Sequence, residues 1–101
     1  MPPVAAKLVT IVAAFETEAP IQKKLAALKV HGYSVTNVTG RGRHGQQPGG
    51  FFEAKNVSFS IVTTEARARQ ILEWVDAELA PSYPCIAYAT DVMAVPADLL
   101  R

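Results

Sequence analysis

Two stretches of helical periodicity, each flanked by β-type runs, constrain this chain more than any other feature. Residues 7–15, "KLVTIVAAF", are nearly continuous in apolar character and rich in β-branched side chains, the pattern of a central strand buried on both faces. Thr17, Glu18 and Pro20 then supply an N-cap, an acidic first turn and a first-turn proline. Ile21, Leu25 and Leu28 follow at helical spacing, and Gly32 is the expected stop, where the chain needs a left-handed backbone. "YSVTNVT" (33–39) and "FFEAKNVSFSIVT" (51–63) both alternate, so they read as antiparallel neighbours joined by a long loop. A second helix opens at Thr64 or Glu65, shows Ile71, Leu72, Val75 and Leu79 as its stripe, and ends at Pro81. A mostly apolar strand over residues 85–95 comes last.

The order is β-α-β-β-α-β. Two crossover helices on one face of an antiparallel four-stranded sheet make an α+β, ferredoxin-like sandwich, with a long loop between strands 2 and 3. At 101 residues the chain reads as a single domain, 1–101, able to bury roughly 65% of its unfolded surface. The formal charge of +1 provides no bulk field toward nucleic acid or an anionic membrane, so any anion must be held by a local cluster. Cys85 is the only cysteine, which removes an internal disulfide and any hint of an oxidising compartment. The opening apolar run is too short for a membrane span and lacks a signal peptide's basic flank, so a cytoplasmic location is expected.

Residues 40–45, "GRGRHG", interrupt this pattern. Three glycines in six positions let backbone N–H groups approach a ligand closely, and Arg41 and Arg43 present planar forks suited to phosphate or carboxylate oxygens. No Gly-Lys-Ser/Thr follows, and no helix starts there, so neither a Walker loop nor a dinucleotide fingerprint is present.

Together with its surroundings, "HGYSVTNVTGRGRHG" (31–45) resembles the base of the T-loop in the PII signal-transduction family. "YPCIAYATDVMAV" (83–95) is similar to that family's last strand. Its "IAYATD" looks closest to the PII-like proteins associated with bicarbonate transport and with carboxysomes. The resemblance implies a homotrimer that binds adenine nucleotides between subunits and signals through the loop to a membrane transporter or carboxysome-related partner. Carried over by position, it puts Ser34 near the ribose and Gly40, Arg41, Gly42 and Arg43 at the phosphates. Val62 and Thr63 then lie by the adenine, with Ile86 and Ala87 facing them and Tyr83 at the edge of the cleft. Two departures count. "APSYPC" (80–85) has no Lys or Arg where nitrogen-regulating members have a basic, glycine-rich loop, and His44 stands in place of the T-loop glutamine. Both favour AMP, ADP or cyclic AMP over Mg-ATP with 2-oxoglutarate, with bicarbonate beside Arg41 and Arg43. The nucleotide is then an effector, and no tightly bound cofactor is expected.

Other residues have ordinary readings. His44 has no companion ligand, so no metal is expected. His31 suits the carbonyls at a helix C-terminus, and "RARQ" (67–70) a solvated helix face. Asp91 in an apolar strand calls for a partner, for which an inter-subunit salt bridge is the natural choice. No acid–base pair or activated nucleophile is spaced for catalysis, so the chain is not expected to be an enzyme. The alternative is a ferredoxin-like RNA-binding module, but strands one and four offer it only Phe15 and Tyr88.

Overall fold

The structure, a computed structural model, describes residues 2–39 and 55–100. Its elements run β1 (Val4–Ala14), α1 (Glu18–Ala27), β2 (Ser34–Thr39), β3 (Lys55–Thr63), α2 (Glu65–Trp74) and β4 (Cys85–Ala94). A 3-10 turn (Phe15–Thr17) leads into α1, and a π-helical segment (Val75–Leu79) extends α2. The strands form one antiparallel sheet in the order β2-β3-β1-β4, as expected for the βαββαβ sandwich.

β1 is central but is not buried on both faces. On the helix-covered side Val9, Ile11 and Ala13 pair with Ile61, Phe59 and Val57, and none of the six is more than 2% exposed. On the other side the pairs are Leu8–Val62, Thr10–Ser60 and Val12–Ser58, which no helix among the described residues covers. The near-continuous apolar run masked this two-residue alternation, because Leu8 and Val12 are as hydrophobic as the core residues between them.

α1 and α2 close the core through Ile21, Leu25, Ala68 and Ile71, and the π-helical segment adds Val75 and Leu79. The Tyr33 and Phe59 rings meet at 5.6 Å between centroids, tilted by 39°. Thr64 caps α2, its Oγ1 accepting from the Arg67 N–H at 3.2 Å. Thr17 does not act in this way. It is fully buried, and its hydroxyl donates to the Ala14 carbonyl at 2.6 Å instead.

The left-handed residue that ends α1 is Lys29 (φ 63°), three positions before the expected Gly32. Its N–H donates to Ala26 O at 3.0 Å, and the Val30 N–H donates to Leu25 O at 2.8 Å. This is a Schellman closure with the buried pair Val30 and Leu25 as its apolar contact. Packing Val30 into the core fixes where the helix must turn, so the register of apolar residues overrides the usual preference for glycine.

Candidate functional site

At one end of the sheet the chain encloses an open cavity of about 710 Å³. Its floor is strand: Ser34 and Ser60 are cross-strand partners, and Val62 and Thr63 continue along β3. One wall is the turn leaving α1, residues 29–33, which brings Lys29, His31 and Tyr33. Arg67 enters from the first turn of α2. The opposite wall is the segment after β4, where Val95 and Pro96 give an apolar surface and Asp98 a carboxylate.

Apolar panels, several hydroxyls and charges of both signs thus share one concave space, the lining expected for a small polar ligand with a flat apolar part. Val62 is 43% exposed and Val95 62%, so each has apolar surface to bury. Thr63 is buried at 2%, with its side chain on the helix side of the strand.

Three sequence-predicted residues, Ser34, Val62 and Thr63, therefore line one cavity. Tyr83, Ile86 and Ala87 do not join them within a chain. Val62 pairs with Leu8 of β1 whereas Ile86 pairs with Val12, four residues further along, or about 13 Å at ~3.3 Å per residue. Ile86 is 60% exposed on the open face, Ala87 is half-buried on the helix side, and Tyr83 packs against the core just after the π-helical segment. Gly40, Arg41, Gly42, Arg43 and His44 lie outside the described residues.

The cavity also contains residues that had been given other roles. No hydrogen bond joins His31 to the carbonyls at the end of α1 among the described residues. Arg67, assigned to a solvated face, is half-buried in the cavity wall. Neither placement was legible from periodicity, because the cavity arises where separated segments converge. Among the described residues no group of three His, Cys, Asp or Glu side chains could hold a metal ion.

A shallower groove of about 500 Å³ lies beside an ion-pair chain. Lys7 is hydrogen-bonded to Asp91, its cross-strand neighbour, and lies 3.7 Å from Glu65, which is 3.8 Å from Arg69. The partner of Asp91 is thus in its own chain, and the carboxylate is 85% exposed rather than buried. The Asp91 hydrogen bond, aided by the charge of Glu65, holds the Lys7 ammonium above its usual pKa. These charges satisfy one another in solvent, which makes the groove the poorer ligand site.

The fold has counterparts among known proteins. The family model "Nitrogen regulatory protein P-II" matches residues 6–98. A PII-like signaling protein from Thermus thermophilus is 31% identical over the whole of both chains, with a TM-score of 0.83. CPII from Thiomonas intermedia, in a structure bound to ADP and bicarbonate, is 16% identical with a TM-score of 0.85, over 99% of this chain and 98% of its own. A second CPII structure, bound to ADP, AMP and bicarbonate, is 15% identical over 92% and 96% of the two chains, with a TM-score of 0.78. No curated protein sequence matches the chain. With residues 6–98 under the family model and a full-length relative at 31% identity, the chain belongs to the nitrogen regulatory protein P-II family.

Proposed function

We propose that this protein is a non-enzymatic, cytoplasmic regulator that binds an adenine nucleotide (AMP, ADP or cyclic AMP) in the clefts of a homotrimer, with bicarbonate as a second ligand. The observation that carries the reading is the cavity itself, which gathers Ser34, Val62 and Thr63. Val62 offers apolar surface to a purine face, and the Ser34 hydroxyl can donate to or accept from the ribose. Tyr83, Ile86 and Ala87, too far along the sheet to reach the same ligand within a chain, complete the cleft from a neighbouring subunit. Gly40, Arg41, Gly42 and Arg43 contact the phosphates, and the two arginines hold bicarbonate. The binding of ADP and bicarbonate by CPII, which shares the fold, supports this choice of ligands.

The homotrimer is supported by the uncovered face of the sheet, where Ile86 and Tyr88 are 60% and 49% exposed. Apolar side chains that stand together on a face no helix covers suit burial against other copies of the chain. Ligand contacts with residues 40–52 couple occupancy to a partner, an inorganic-carbon transporter or a carboxysome protein. The coupling free energy is the ligand's difference in affinity between partner-bound and partner-free forms.

The RNA-binding alternative has less support. On the open face, β1 and β3 present Leu8, Thr10, Val12, Ser58, Ser60 and Val62, which leaves edge-strand Tyr88 as the one aromatic that the described strands offer a base there.

Calorimetric titration with AMP, ADP, ATP and cyclic AMP, each with and without bicarbonate, tests the proposal. Saturable binding near one site per chain is expected, strongest for a nucleotide other than ATP. No binding to any of the four would overturn it.

A further inference from the structure

We infer that the anionic group of the ligand is received inside the cavity by Lys29, His31 and Arg67, with Lys29 setting the preference for phosphate-bearing over phosphate-free ligands. This rests on the nucleotide reading above and adds cavity residues to the loop residues to which that reading already gives the phosphates.

Two independent observations carry it. The first is where the charge lies. Residues 80–85 contain no Lys or Arg, yet the end of α1 and the first turn of α2 bring Lys29, His31 and Arg67 to the cavity that holds Ser34 and Thr63. The acid in the same lining is Asp98, and Tyr33 is the remaining titratable group there. Lys29 brings a full positive charge and His31 a ring N–H able to donate, a pairing that suits phosphate oxygens.

The second observation is backbone strain. Lys29 is the one non-glycine residue with positive φ among the described residues, at the C′ position of a Schellman closure where glycine is the favoured residue. A side chain kept at a strained position is a pointer to use. Lys29 is exposed, and its side chain makes no ion pair among the described residues, so its ammonium remains available to a ligand. Asp98 has a complementary part, accepting from ribose hydroxyls or an exocyclic amine.

The test is calorimetric titration of the wild type, Lys29→Gln and Lys29→Gly with AMP, ADP and adenosine. Both variants should bind AMP and ADP about tenfold more weakly and adenosine within about twofold of the wild type. Lys29→Gly relaxes the backbone while removing the charge, so its agreement with Lys29→Gln separates charge from strain. Equal losses for AMP and adenosine, or unchanged AMP affinity, would overturn the inference. If the wild type binds no adenine nucleotide, the nucleotide reading falls, and an NMR titration with inorganic phosphate decides the remainder. Saturable shifts at His31 and Arg67 that vanish in Lys29→Gln keep the anion site, and their absence removes it.

Discussion

The helix-covered and open faces of the sheet are made by the same strands, one residue out of step. On the covered face Val9–Ile61, Ile11–Phe59 and Ala13–Val57 exclude solvent almost completely. On the open face the intervening pairs mix apolar and hydroxyl side chains, and β4 adds exposed Ile86 and Tyr88. Because strand side chains alternate, each β1 residue serves one face only, so the chain can vary its open face without repacking the core. Stability is concentrated on the covered side and the surface proposed for assembly lies on the open one, while the ligand cavity sits at the end of the sheet and draws residues from both.

The sharpest break of this comparison pits one aromatic against another. Phe59→Ala should cost about 3–5 kcal/mol in urea denaturation, since it empties the centre of the core. Tyr88→Ala should cost the isolated chain under about 1 kcal/mol, as a half-exposed edge-strand residue. Similar losses in the monomer would erase the distinction between faces. Ile86→Asp combined with Tyr88→Asp should reduce the assembly to single chains by light scattering while leaving the circular dichroism of the fold unchanged. A mass unaltered by these charges would exclude the open face as the trimer surface.

Smaller effects belong to the helix ends. Thr64→Ala, which removes the cap on α2, should lower stability by about 1 kcal/mol. Lys29→Gly should raise it by roughly 0.5–1 kcal/mol, because glycine adopts the left-handed conformation without strain. Opposite signs at two helix termini would confirm that one end is optimised and the other is not. The smallest effect is at alkaline pH. The folded-state pKa of Lys7 lies above its usual 10.5, so the stabilisation from its carboxylate partners is complete below that value and is lost as pH rises through the folded pKa. Asp91→Asn should flatten the loss of stability above about pH 10.5 in urea titrations. An unchanged slope would remove this pair from the pH dependence.

The element order and sheet pairing were legible because alternation and helical stripes are local signals. Strand boundaries fell within a few residues of those observed where they could be compared. What escaped was non-local. Burial of Val30 moved the helix stop from Gly32 to Lys29, and a two-residue alternation lay hidden in the uniform hydrophobicity of residues 7–15. The end of α2 switches to π-type hydrogen bonding, with the Ala80 N–H donating to Val75 O at 2.8 Å, and no residue pattern announces this. For the site, resemblance identified Ser34, Val62 and Thr63, which share the cavity. His31, Arg67 and Asp98 are distant in sequence and meet only because the turn after α1, the start of α2 and the tail after β4 converge.

The most direct test of the central claim is to follow backbone amide resonances of the protein during titration with AMP or ADP. The account predicts saturable shifts concentrated at Ser34, Val62, Thr63 and the turn carrying Lys29 and His31, with a second set at Tyr83, Ile86 and Ala87 from the facing subunit. Saturable shifts confined to the groove beside Lys7 and Asp91, or no shifts at all, would contradict it.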